Sequence, residues 1–326
     1  MEEPERPALV AGIGVIMNPR SRRNLRDPRA ADRLARALGD HGVVRTARSR
    51  DDLACIASDY RKLSIDVLGI SGGDGTNHVT ITGFLEAYAD EALPPIALLR
   101  GGTMNTVANS LGVPRGGPDG LLRTLTEHYA NRSSRPLQSV ERHVMRVGPN
   151  VGFLFGTGAI HGFLSAYYER PEPNAVWAAQ VLARAMASVA TNGELMRKIA
   201  KRWEGKIYLD NGDELPDRDY LAVGAGTIDQ IGLGFRPFYR ARQQRDRFHL
   251  LGIHTSATGF VQKLPDVWRA RPMGDEHTYD RLVRSAVLEA RSGVVEYMCD
   301  GDLHTHPGPL KVEIGPVVRM VVGLAN

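Results

Sequence analysis

Four short apolar runs, separated by segments of helical periodicity, open this chain. LVAGIGVIM (9–17) is continuously apolar, as a strand buried on both faces must be. VVRT (43–46), IDVLGI (65–70) and PPIALL (94–99) follow as further strands. The intervening segments read as helices. One opens at Asp27-Pro28, with an N-cap and a proline at its first position, and runs to Leu38. Another covers DDLACIASDYRKL (51–63), a third runs from Thr76 to Tyr88, and a fourth covers 118–131. Strands and helices alternating in this way predict an α/β fold with a doubly wound, mostly parallel sheet.

The texture changes near Pro136. RHVMRV and VGFLF, joined by Gly148-Pro149-Asn150, read as a hairpin. A helical region is predicted over 175–203. Many short strands with turn signals follow, from GKIYLDNGDELP (205–216) to VVRMVVGL at the end. The expectation is a mainly antiparallel β-sandwich second domain over 137–315. The first domain would span 1–136, with 316–326 returning to it and a boundary at 133–138. No repeat or low-complexity segment interrupts this plan.

The 326 residues suffice for two cores, and 42% hydrophobic with 24% charged residues is ordinary for a soluble globular protein. A net charge of +4, carried mostly by arginine, suits anionic ligands or lipid headgroups. No basic, aromatic-rich motif of a nucleic-acid binder is present, so no nucleic-acid partner is expected. Cys55 and Cys299 offer neither a disulfide framework nor metal-ligand spacing, and Cys55 is expected to be a small core residue. The acidic N-terminus and its short apolar stretch read as neither signal peptide nor membrane span. The expected location is cytoplasmic, with any membrane contact peripheral.

Two glycine turns carry the chemistry. SGGDGTNH places Gly72, Gly73, Asp74, Gly75 and Thr76 between a strand and a helix. Consecutive glycines let backbone N–H groups approach a phosphate without a Cβ in the way, and the helix N-terminus adds about half a positive charge. Asp74 is out of place for simple phosphate binding, because a carboxylate repels phosphate, and makes sense if it orients a magnesium ion, a water or a hydroxyl nucleophile. The loop is neither GxxxxGK[ST] nor GxGxxG. RGGTMNTVANSLGV (100–113) repeats the arrangement after the next strand, and Asn18-Pro19-Arg20-Ser21 follows the first. In a doubly wound sheet all three turns fall at the carboxyl edge, where ligands bind. One such turn alone would more simply be a flexible connection with a solvated aspartate.

Together these motifs resemble the diacylglycerol kinase catalytic family, soluble lipid kinases that include bacterial diacylglycerol kinases, sphingosine kinases and ceramide kinases. Asn18-Pro19 is similar to the family's Asn-Pro opening, SGGDGTNH to its GGDGT loop and RGGTMNTVANSLGV to its GTxNDFA motif. FGTGAIHGF (155–163), IGLGFRPF (231–238) and Cys299-Asp300-Gly301-Asp302 resemble its later Gly-rich and DGE segments, in family order. GGDGT is shared with NAD kinases, so the ordered set is more specific than any member. The resemblance implies an ATP-binding α/β domain, a β-sandwich second domain and a cleft between them. By position it implies that Asn18, Pro19, Arg20, Ser21, Arg22, Thr46, Gly72, Gly73, Asp74, Gly75, Thr76, Asn77, His78, Gly102, Thr103 and Asn105 line the nucleotide. It implies Asp302 as general base, where relatives have Glu, and Asp74 as organiser of magnesium and the γ-phosphate. The cofactors so implied are ATP and Mg2+.

Several positions depart from the family pattern. Thr106 replaces the Asp of GTxNDFA, and Ser21-Arg22 replace Ser-Gly. Of the DDGLLD stretch linked to a structural magnesium, only Asp246 remains as a candidate metal ligand. Asp302 is one methylene shorter than Glu, enough to misplace a base by about 1 Å. His78 could contact nucleotide or simply cap or solvate its helix. The Asp300-Gly301 pair alone would read as a hairpin turn.

The stretch 174–203, which carries Arg184, Arg197, Lys198, Lys201 and Arg202 and ends in Trp203, could face a membrane by snorkelling or pack on the sandwich. Phe163, Leu164, Tyr167 and Tyr168 could line an acyl pocket or be core. The leading expectation is transfer of the γ-phosphate of Mg-ATP to a hydroxyl of a diacylglycerol-like or sphingoid lipid, the membrane-surface substrate being the partner. The alternatives are a kinase of a soluble acceptor such as NAD, or a binding protein with weakened catalysis. Sandwich edge strands could pair into a homodimer.

Overall fold

Every residue of Ile13–Met17 (β1) is buried, as the apolar run requires of a central parallel strand. The structure, a computed structural model, describes residues 12–131, 137–170, 174–189 and 193–323. The chain divides into two units: Met1–Gly102, Leu111–Glu141 and Val318–Asn326 form the first, and Thr103–Ser110 and Arg142–Val317 the second. Residues 133–136 of the expected boundary lie outside the described residues, as do 9–11 of the first predicted strand.

In the first unit, β1 is followed by Arg22–Leu25 (α1), Ala30–Leu38 (α2), Gly42–Thr46 (β2), Arg50–Lys62 (α3), Val67–Ser71 (β3), Asp74–Tyr88 (α4) and Ile96–Leu98 (β4). Thr106–Ser110 (α5) groups with the second unit, and Pro118–Ala130 (α6) with the first. The parallel order is β2-β1-β3-β4. Helix α3 shows why the local sequence folds as it does. Ser49 accepts a hydrogen bond from the Asp52 amide at 3.0 Å, acids occupy the first turn and Arg61 and Lys62 the last. Its Tyr60 ring packs so closely on Gly14 of β1 that a Cβ there would lie 2.7 Å from it. The Tyr60 hydroxyl donates to the Val15 carbonyl at 3.0 Å.

The second unit is built from two antiparallel sheets. Its strands are Ser139–Val147 (β5), Asn150–Gly152 (β6), Leu154–Gly158 (β7), Trp203–Leu209 (β8), Asp219–Tyr220 (β9), Ala222–Gly226 (β10), Phe248–Ile253 (β11), Thr278–Val283 (β12), Ser285–Ala290 (β13), Val294–Cys299 (β14), Asp302–Pro307 (β15) and Leu310–Val321 (β16). One sheet runs β12-β11-β10-β7-β14-β15, and the other pairs β8 with β9 and β13, and β16 with β13 and β5. Between them lies a core that includes Phe155, Val223, Phe248 and Tyr297 from the first sheet and Met145, Ile207, Leu288 and Val312 from the second. This is the sandwich the sequence predicts. Strand β16 crosses between units: Met320 pairs in parallel with Ile96 of β4.

Helices Ala159–Tyr168 (α7), Ala175–Val189 (α8) and Glu194–Ile199 (α9) precede β8, and Ala257–Trp268 (α10) follows β11. Four expectations need correction. Helix α2 begins at Ala30, because the Asp27 carboxylate accepts from the Arg29 amide at 3.0 Å and its carbonyl from Ala30 at 2.9 Å, closing a turn first. Helix α4 begins at Asp74, two residues early. Cys55 is exposed on α3. The helical region 175–203 is two helices, and Trp203 opens a strand with its ring in the sandwich core.

Candidate functional site

The first unit brings the polar turns after β1, β3 and β4 to one sheet edge. Asn18 ties the first two together. Its amide N–H donates to the Ser71 carbonyl at 3.1 Å, and its side-chain Nδ2 to Thr76 Oγ1 at 2.9 Å. Its Oδ1 accepts from the Arg20 amide at 2.8 Å, and its carbonyl from Ser21 Oγ at 3.0 Å and Asn24 Nδ2 at 2.8 Å. The Asn-Pro turn is therefore fixed against the first turn of α4.

The glycines are demanded by contact. A Cβ on Gly72 would come within 2.5 Å of Thr76 Oγ1, and one on Gly101 within 2.9 Å of the Gly72 amide nitrogen. A Cβ on Gly73 would lie 3.1 Å from Gly102 Cα. The two glycine turns thus abut, backbone on backbone. Gly73 is the extended N-cap of α4 and makes no side-chain cap, so the amides of the first helical turn and the abutting turns form a cradle that a Cβ would fill. These residues fit a phosphate-bearing group.

Arg100, immediately before the second glycine pair, is only 7% exposed and holds a left-handed backbone with φ 50°. Its Nη1 donates to the Val113 carbonyl at 2.7 Å. Burial pushes its pKa down, the neighbouring Arg115 and Arg23 push it further, and Asp74 opposes them. The Arg23 amide donates to the Gly101 carbonyl at 3.2 Å and its guanidinium to the Gly116 carbonyl. Sequence reasoning singled out none of these three arginines. Arg100 stood inside the quoted motif, but its burial and backbone twist have no local signal.

Of the residues expected at the nucleotide, Asn18 to Arg22, Gly72 to His78 and Gly102 lie in this unit around the two turns. Thr46 ends β2, beside Met17 of β1. Asn77 and His78 are buried, at 3% and 1% exposure, so His78 is no solvated or capping residue. Thr103 and Asn105 group with the second unit, where Asn105 has φ 48° and its carbonyl accepts from the Asn109 amide.

Asp302 opens β15 opposite Cys299, across a two-residue turn whose Asp300 and Gly301 both have positive φ. Such a turn matches the twist of the strands it joins. The Asp300 carboxylate is buried and accepts from the Phe153 amide at 3.0 Å and the Leu154 amide at 2.8 Å, pinning the hairpin to the β6–β7 junction. Tyr168 Oη donates to the Gly301 carbonyl at 2.8 Å. Burial pushes the Cys299 thiol well up, and Asp300 and Asp302 add to it. The motif is thus both a hairpin turn and the frame that presents Asp302.

Also in this unit, buried Asp229 accepts from Ser110 Oγ at 2.7 Å and from the guanidiniums of Arg242, at 2.7 Å, and Arg236. Burial alone would raise its pKa. The hydrogen bonds from Arg236, Ser110 and Arg242 outweigh it and hold the group at about 2.

Asp246 is exposed and paired with Arg284. Among the described residues no group of three or more His, Cys, Asp or Glu could hold a metal ion. The residues around Asp246, exposed and engaged by Arg284, therefore do not fit a resident magnesium. Among them, too, no helix is long and apolar enough to cross a membrane. Helix α8 buries Val181 and Ala185 against Ala166, Met196 and Ile199, leaving Val176 and Met186 exposed. Lys198, Lys201 and Arg202 are paired with Glu169, Glu296 and Asp219.

Residues 12–137 match the diacylglycerol kinase catalytic domain. Over 100 residues the chain is 33% identical to a Shigella flexneri protein named "Probable lipid kinase YegS", covering 31% of this chain and 33% of that one. The match thus spans about a third of the length of the curated relatives. A diacylglycerol kinase structure from Bacillus anthracis str. Sterne superposes with TM-score 0.62 at 16% identity, over 96% of this chain and 97% of that one. Yeast NADH kinase complexed with NADH gives TM-score 0.50 at 8% identity, over 97% and 84%. Identities this low speak for the fold alone. The resemblance read from the motifs is borne out: this chain is similar to diacylglycerol kinases in sequence over residues 12–137 and in fold over nearly its whole length.

Proposed function

We propose that the protein is a lipid kinase that transfers the γ-phosphate of Mg-ATP to a hydroxyl of a diacylglycerol-like or sphingoid lipid. The observation that carries this reading is the pair of abutting glycine turns at the N-terminus of α4, with Asp74 as the first helical residue. The turns bind the phosphate chain through backbone amides, and Asp74 would hold a magnesium ion bound to the nucleotide, which would supply charge neutralisation at the phosphates. Asp302 takes the proton of the acceptor hydroxyl. That oxygen attacks the γ-phosphorus, the bond to the bridging oxygen breaks and ADP leaves. The chemistry needs positioning and charge compensation more than covalent catalysis. The exposed Val176 and Met186 of α8, with Arg184 stacked on Trp177, suit peripheral contact with anionic headgroups.

A second reading, a kinase of a soluble acceptor such as NAD, draws on the shared GGDGT and on the fold likeness to an NADH kinase. ADP release from Mg-ATP separates the two when measured with diacylglycerol micelles, sphingoid-base micelles and NAD. The proposal expects micelle-dependent release that Asp302→Asn lowers at least a hundredfold. Release with NAD alone would favour the soluble acceptor. No release with any acceptor, nucleotide still binding, would favour a protein that has kept the fold without the catalysis.

A further inference from the structure

Three arginines gather beside the second glycine turn of the first unit, and the motifs explain none of them. Arg100 is the residue before Gly101, Arg23 meets Gly101 through its amide, and the Arg23 guanidinium meets the carbonyl of Gly116, next to Arg115. The Arg100 guanidinium reaches the carbonyl of Val113, on the same segment. The Arg23 and Arg100 guanidiniums thus both reach the 113–116 segment that carries Arg115, while their backbones border Gly101, which in turn abuts Gly72.

The arrangement is costly. A non-glycine residue held in left-handed backbone is disfavoured, and a guanidinium buried beside like charges is more so unless an anion compensates it. Asp74 is a carboxylate whose charge offsets Arg100 in part. The same charge balance accounts for an acidic residue in a phosphate-binding turn, since Asp74 sits among cations rather than alone. A guanidinium also offers planar, multidentate donors suited to phosphate oxygens.

We infer that Arg23, Arg100 and Arg115 form a cationic floor that holds the phosphate chain of a nucleoside triphosphate and selects ligands by their number of phosphates. This rests on the nucleotide-binding reading above and assigns to this chain a charge-compensating role that the glycine turns alone do not supply.

Calorimetric titration of the full chain with ATP, ADP, AMP and adenosine tests it. The expected affinity order follows phosphate number. Arg115→Gln and Arg23→Gln, both at exposed positions, should each weaken ATP about tenfold and leave adenosine unchanged. Arg100→Lys keeps a charge but loses the fork, and should weaken ATP while melting within a few degrees of wild type. Equal ATP affinity in wild type and in the Arg23 and Arg115 variants would overturn the inference while leaving a nucleotide site intact. If wild type binds no nucleotide, the kinase reading fails, and inorganic tripolyphosphate becomes the probe. Tripolyphosphate binding lost in Arg115→Gln would uphold the arginine floor, and no tripolyphosphate binding would overturn it too.

Discussion

A methyl group on Gly72 would sit 2.3 Å from the Thr76 side chain, on the residue that Asn18 holds in place. Gly72→Ala must therefore push Thr76 away and break its bond to Asn18. The expected loss is about 1–3 kcal/mol of stability, read by urea unfolding. A stability equal to wild type would show that the turn relaxes freely. At this scale the sequence was informative where the chemistry is local. Consecutive glycines between a strand and a helix announce close backbone approach, and Asp74 among them announces a charge with work to do. Arg100 and Asp300 were not legible. The burial of one and the Phe153 and Leu154 amides that the other accepts from come from segments distant in sequence. The solvated alternative for His78 fails for the same reason: its place on α4 is local, but its burial is tertiary.

Among elements, α5 depends on a buried charge for its anchorage. Ser110, its last residue, donates to Asp229, which Arg236 and Arg242 also grip. The Asp229 pKa is depressed from 3.8 to about 2, so its contribution to stability is complete above pH 3.8 and is lost as pH falls toward 2. Its size is roughly 2 kcal/mol. The difference in unfolding free energy between wild type and Asp229→Asn should shrink by that amount between pH 5 and pH 2, and a difference constant with pH would contradict the assignment. Element legibility followed periodicity. Strands β1, β3 and β4 announced themselves as apolar runs, and α3 by its cap and charges. The start of α2 was misplaced because Asp27 closes a turn before it caps anything. Trp203 was assigned to a helix because the basic residues before it continue a helical texture, whereas its pairing with Tyr220 and its burial among sandwich residues decide the strand.

For the whole molecule, the α/β unit and the sandwich unit were both visible in the change of texture along the chain. The grouping of 103–110 with the second unit was not, since nothing in RGGTMNTVANSLGV marks where one set of contacts ends and another begins. Asp74 lies in the first unit and Asp302 in the second, so the proposed transfer is tested on the intact chain. The most direct measurement is transfer of labelled γ-phosphate from Mg-ATP into a mixed lipid extract, with wild type beside Asp74→Asn. The expected result is a labelled organic-phase product that the variant, folded to the same melting temperature, does not make. Label that stays in the aqueous phase with wild type, or an organic product made equally by Asp74→Asn, would contradict it.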